Sequence, residues 1–341
     1  MKKTSYLLLL LIITGLYSCK STKESISKKD YNFYGNTITA LDLSKHLYIV
    51  ASDEMQGRGT GEEGQKKSGK YLISQYEKLG INFPPRANSF YQNIPSDYMV
   101  RPFSPKLNDS ENIWAFIEGS EKPEEIIVVS AHYDHLGVKN GEIYNGADDD
   151  GSGTVALLEI AEAFMQAKKE GNGPKRSILF LHVTGEEHGL HGSRFYAENP
   201  LYPLNNTVVN INIDMIGRHD DLHNDSSHYI YVIGSDRLSS ELHTINEEIN
   251  LKYQQLKFDY KYNDRNDPDR IYFRSDHYNF AKKGIPAIFF FSGIHQDYHK
   301  PTDTAEKIEY EALQNRVRHM FALTWELANR EKRIIADRDG S

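Results

Sequence analysis

The chain has 341 residues, room for one large α/β domain or two small ones, and its aromatic share, with 22 tyrosines, argues against disorder. Its 40 basic and 48 acidic residues leave a net charge of −8, which advertises no basic face and argues against nucleic acid as a partner. Cys19 is the only cysteine, so an intrachain disulfide and a thiolate metal site are excluded, and a cysteine nucleophile is argued against.

The N-terminus reads as a targeting segment. "MKK" is positive, "YLLLLLIITGLY" is an apolar run too short to cross a bilayer as a helix, and "LYSC" brings Leu16, Ser18 and Cys19. This resembles a bacterial lipoprotein signal, which implies a signal peptide over residues 1–18 and a lipid on Cys19. Tyr17 is bulkier than the residue usual at its place, and an ordinary secretory signal is the alternative. Loss of 1–18 removes Lys2 and Lys3 and no acid, leaving a mature charge of −10. Residues 19–36 read as a polar tether and 37–335 as a single domain held at the membrane through the lipid. The expected location is the cell envelope, with the periplasmic face of a bacterial membrane favoured over the cell surface.

Along the domain, "LDLSKHLYIVAS" predicts a helix, "QGRGTGEEG" a glycine-rich turn, and "KKSGKYLISQYEKLGI" a helix ended by Gly80. "PPRANSFYQNIP" reads as a connector. "NIWAFIEG" and "EIIVVSAH" are strands, and "GTVALLEIAEAFMQAKK" is a helix with Val155, Leu158, Ala161 and Met165 on one face. Strand "RSILFLHVTG" and helix "LHGSRFYAEN" follow, then strands "TVVNINIDM" and "HYIYVIG" and helix "LSSELHTINEEIN". After a polar loop over 261–270 come helix "SDHYNFAKKG", strand "IPAIFFFSG" and a closing helix over 309–332. Strands apolar on both faces, alternating with helices, predict an α/β fold: one domain with a mostly parallel mixed sheet covered by helices on both faces.

The chemistry gathers where these strands end. Successive strands lead to His132, to Glu186 and Glu187, to Asp214 and, within a few residues, to His299. In open α/β sheets, ligands bind outside the carboxyl ends of the strands. "GADDDGSG" adds three adjacent aspartates. An EF-hand reading fails, because Gly146 and Leu157 stand where acids are needed. A phosphate loop fails for want of a lysine, since Ser152 follows Gly151. Helix capping suits Asp150 or Ser152 but does not account for three acids. His132, Asp149, Glu187, Asp214 and His299 make five donors, and five donors serve two metals only if one carboxylate bridges. Residue types alone leave open which of the two glutamates binds metal. His135, His182, His188, His191, His219, His223 and His228 are read as non-ligands, with His188 and His191 at the surface; His295 is the one substitute ligand.

"SAHYDHLG", "GADDDGSG", "TGEEHGLHGS", "NIDMIGR" and "DYHKPTDT", in this order, resemble the successive motifs of the M28 family of zinc-dependent aminopeptidases, and "ASDEMQGRGTG" resembles the segment that opens many members. The resemblance implies two zinc ions, with cobalt or manganese as substitutes. His132 and Asp214 would hold one ion and Glu187 and His299 the other, with Asp149 bridging and a cis peptide after it. It further implies that Glu186 is the general base, that Asp134 orients the His132 ring through a hydrogen bond, and that Tyr272 contacts the oxyanion. The surroundings of Tyr272, "DRIYFR", depart from those members, which also carry a disulfide nearby that this chain cannot form. The implied substrates are peptides with a free N-terminus. Two alternatives remain: a glutaminyl cyclase on the same fold, using one zinc, and a metal-binding domain without catalysis.

Overall fold

The computed structural model of the protein describes residues 31–102 and 106–339, so the leader, Cys19 and the first part of the tether lie outside the described residues. The rest of the tether is not extended. Tyr31–Gly35 form helix α1, because Tyr31 and Tyr34 lie on one helical face and stack on Phe321 and Trp325 of the closing helix, with ring centroids 5.5 Å apart in both pairs. Residues 31–35 of the expected tether thus pack on the domain.

Helices α2 (Ala40–Val50) and α3 (Glu63–Leu79) follow. Thr39 caps the first by accepting from the Asp42 amide, and Gly80 ends the second in the left-handed conformation, φ 77°. The predicted connector contains a strand, β1 (Tyr91–Ile94), which pairs antiparallel with β2 (Ser110–Ile117) at the sheet edge. Then come β3 (Lys122–His132), a hairpin of β4 (Gly137–Lys139) and β5 (Glu142–Tyr144), α4 (Gly153–Lys169), β6 (Arg176–Val183), α5 (His191–Glu198) and β7 (Thr207–Ile213). The remainder is β8 (Tyr229–Ile233), α6 (Ser240–Lys252), β9 (Lys257–Asp259), α7 (His277–Ala281), β10 (Ala287–Phe291) and α8 (Tyr310–Asn329).

The main sheet has eight strands in the order β1-β2-β6-β3-β7-β10-β8-β9. Its centre, β6-β3-β7-β10, is parallel throughout. Alternation with period two sorts the strand residues between two cores. Ile127, Val129 and Ala131 of β3 face a large core shared with α1–α4, α6 and α8. Ile126 and Val128 face a smaller one shared with Tyr196 of α5 and Phe280 of α7. Helix α4 is buried more widely than one stripe: every residue from Gly153 to Ala161 is covered, while Met165 is only half-buried. The parallel centre aims four carboxyl ends at one edge, which is where the polar residues collect.

Candidate metal centre

His132 is the last residue of β3, Asp214 directly follows β7, Glu186 and Glu187 lie in the turn after β6, and His299 lies in the loop after β10. Asp149 arrives in the irregular turn before α4, and the Asp149–Asp150 peptide bond is cis. One ligand atom each from His132, Asp149 and Asp214 lie within 4.8 Å of one another, and the same holds for His135, Asp149 and Glu187. Asp149 is common to both groups. Its Oδ1 is 3.2 Å from His132 Nε2, and its Oδ2 is 3.1 Å from His299 Nε2. His299 Nε2 is also 3.1 Å from Glu187 Oε2, and His132 Nε2 is 3.5 Å from Asp214 Oδ1.

The surroundings hold these atoms in place. His132 Nδ1–H donates to the Asp134 main-chain carbonyl at 3.0 Å, which leaves Nε2 facing the two aspartates with a lone pair. Asp214 Oδ2 accepts from Ser275 Oγ at 2.6 Å, and Ser275 Oγ accepts from Asn212 Nδ2 at 2.8 Å. Tyr298 stacks on the His299 ring, centroids 3.8 Å apart, and fixes its plane. The other two aspartates tie down the turn. Asp148 Oδ1 accepts from the Gly217 amide at 2.6 Å, while Asp150 Oδ1 accepts from the amides of Gly153, at the start of α4, and Met215.

Like charges crowd this volume. Burial lifts the Glu186 carboxyl well above the usual range, and Asp214, Asp276 and Glu187 add to that against the pull of His132. Burial alone would lower His132 and His299, yet their carboxylate neighbours raise His132 well above its usual value and His299 to about 10. The crowded carboxylates therefore favour positive charge in this volume, which a bound cation would supply while the imidazoles stay neutral. The donor set also fits a cation for a geometric reason. Glu187 Oε1 and both ring nitrogens of His135 are buried without an aligned hydrogen-bond partner, and the two donor groups share Asp149. Imidazole and carboxylate donors of this kind suit zinc, cobalt or manganese.

The five expected ligands and Glu186 thus come together, and several other residues sit differently from expectation. The Asp134 carboxylate stands 3.8 Å from His132 Nδ1; it accepts instead from Thr60 Oγ1 at 2.6 Å and the Glu186 amide at 3.3 Å, so Asp134 orients the ring through its carbonyl. Tyr272 is expected at the oxyanion, and its ring is directed by its local turn. It sits in a tight three-residue turn, Ile271–Phe273, in which residues three apart share a side. Ile271 and Arg274 face the cavity beside the metal residues, while the Tyr272 ring packs under the Arg237 guanidinium, 4.1 Å away. His135, read as a non-ligand, enters the second donor group. His295 lies outside both donor groups, its Nε2 3.2 Å from Asp148 Oδ2. His191 is buried rather than at the surface, its Nδ1 2.9 Å from Arg194 Nη2.

Two further residues escape a reading by motif alone. Arg58, fully buried, donates to the carbonyls of Val50, Tyr133, Asn145, Gly146 and Asp149, and so clamps both segments that carry His132 and Asp149. Asp303 accepts from the amides of Asp148 and Asp149 at 3.0 and 3.2 Å. The signal for Arg58 was its place between glycines. A Cβ on Gly57 would lie 2.4 Å from the Tyr144 carbonyl oxygen, so only glycine admits the close backbone approach that seats the arginine.

A mostly parallel sheet with acids and imidazoles gathered beyond its central strand ends defines an α/β protein with a hydrolase-type metal centre. The chain belongs to peptidase family M28, whose profile matches residues 112–324. It is 30% identical over 335 residues to a probable leucine aminopeptidase of Trichophyton verrucosum, covering 92% of this chain and 85% of that one. A zinc aminopeptidase from Bacillus subtilis has the same fold, with TM-score 0.65, 18% identity and coverage of 89% of this chain and 98% of that one. So does the glutaminyl cyclase of Porphyromonas gingivalis, with TM-score 0.64, 18% identity and coverage of 84% and 98%.

Proposed function

We propose that this peptidase is a two-zinc aminopeptidase. The observation that carries the reading is the Asp149 carboxylate, whose two oxygens face different imidazoles at 3.2 and 3.1 Å. His132 and Asp214 would hold one ion, Glu187 and His299 the other, with His135 beside the second and Asp149 between them. Zinc bound there would supply Lewis acidity toward the peptide carbonyl and toward water. Glu186 lines a small cavity with His132, Asp149 and Asp214. Its carboxylate accepts a proton as water oxygen attacks the carbonyl carbon, then delivers that proton to the nitrogen of the leaving amine as the C–N bond breaks. The surrounding carboxylates favour a positively charged substrate amine, which supports cleavage at a free N-terminus. The chain's pairing of His132 with Asp214 beside the Glu187–His299 set favours this over a one-zinc glutaminyl cyclase.

The test is a panel of aminoacyl anilides and one N-terminal glutaminyl peptide, run with zinc analysis of the same sample. The expected outcome is anilide hydrolysis with two zinc ions per chain. Glu186→Gln should keep both ions and lose turnover by about 100-fold or more. His132→Ala should bring the stoichiometry toward one. Cyclisation without anilide hydrolysis, or normal turnover in Glu186→Gln, would overturn the proposal.

A further inference from the structure

Beyond the metal residues, the same cavity has an apolar wall of Met215, Ile271, Phe289, Phe291 and Ile294, and one cation, Arg274. The tight turn that carries Tyr272 is what brings Arg274 in, because Ile271 and Arg274 lie three apart on one side of it. Arg274 is exposed, and among the described residues no carboxylate pairs with it. Its one recorded partner is the Tyr298 hydroxyl, 3.5 Å from Nη2. Arg176, Arg218 and Arg330 pair with Glu125, Asp297 and Glu241, whereas Arg274 shares the lack of a carboxylate with arginines such as Arg58 and Arg316 and differs from those in lining the cavity beside the metal residues. An arginine left without an anion in an acidic chain, at the wall of the reaction cavity, presents five N–H donors to whatever enters.

We propose that Arg274 is a specificity-determining residue that binds a carboxylate of the substrate. The proposal rests on the aminopeptidase reading and narrows its substrates. The apolar wall takes hydrocarbon and repays burial, while the guanidinium receives an anion in the planar, two-bonded manner that arginine favours. A peptide carries carboxylates in two places suited to this: an acidic side chain on its first residue, or the C-terminus when the peptide is short. Both present the same group to Arg274. A chain that is acidic overall, with a carboxylate cluster at its active site, would otherwise disfavour such substrates.

The experiment uses the full chain loaded with zinc and compares kcat/KM within two matched pairs. Leu-Gly against Leu-Gly-amide reports on the C-terminal carboxylate, and glutamyl against glutaminyl p-nitroanilide on the side chain. In the unmodified protein, the carboxylate member of one pair should be favoured by about tenfold or more, the effect of one charge-assisted hydrogen bond. Arg274→Gln should collapse that ratio toward one, whatever the variant's overall rate, and Arg274→Lys should restore part of it. Ratios near one in both pairs, or a preference that survives Arg274→Gln, would overturn the role of Arg274 and leave the aminopeptidase reading standing. Failure to hydrolyse any of the four substrates would overturn that reading, and this proposal with it.

Discussion

Glu159 lies inside α4 with 3% of its surface exposed, and His46 Nε2 is 3.5 Å from its Oε1. Burial lifts its carboxyl to about 8, with Glu162 and Asp42 adding to the rise, and burial likewise lowers His46, so the pair is neutral rather than ionic near pH 7. The folded protein therefore keeps a proton that the unfolded chain releases from about pH 4.5 upward. Stability contributed by this group falls between about pH 4.5 and about 8 and changes little beyond. Glu159→Gln should flatten that decline, read as the melting temperature of both forms across the window. Parallel curves would show that Glu159 ionises normally in the fold. At the candidate metal centre His132, Glu186, Glu187, Asp214 and His299 were the legible residues, because each comes after a buried apolar strand where an acid or imidazole has no structural reason to be; Asp149 stood out only as one of three adjacent aspartates. His135 was not legible, since one more polar residue past His132 carries no signal until the turn brings its ring to Glu187.

Among the elements, the long ones were readable because burial on both faces writes itself as apolar runs, as in β3 and β6. The short ones were set by tertiary contact. Strand β1 has four residues and borrows its conformation from β2, while α1 is polar enough to pass for a tether until its tyrosines meet α8. The turn at Ile271–Phe273 decided which of its residues reached the cavity, and no periodicity announces so short a turn. Helix α5 depends on a close approach of the same local kind. A Cβ on Gly192 would lie 2.3 Å from Asn112 Oδ1 and 2.5 Å from the Thr184 backbone, both in buried strand surroundings that cannot yield. Gly192→Ala should therefore destabilise the protein by about 1–3 kcal/mol through forced displacement of α5 from the sheet. Urea unfolding with an unchanged midpoint would show that α5 shifts without cost.

For the whole molecule, the N-terminal segment proposes an address. A lipid on Cys19 would hold the domain at a membrane, with only the residues before Tyr31 as spacer. Cys19→Ala should move the protein from the membrane fraction to the soluble one in cell fractionation, and persistence in the membrane would rule the anchor out. No helix among the described residues is long and apolar enough to cross a membrane.

The strand order carries a consequence in time. β10, the last strand in sequence, lies between β7 and β8 inside the sheet, and His299 comes after it. A growing or translocating chain that has delivered everything before residue 287 still has a gap inside its sheet and lacks one of the two imidazoles facing Asp149. Assembly of the imidazole and carboxylate cluster is thus tied to completion of the sheet.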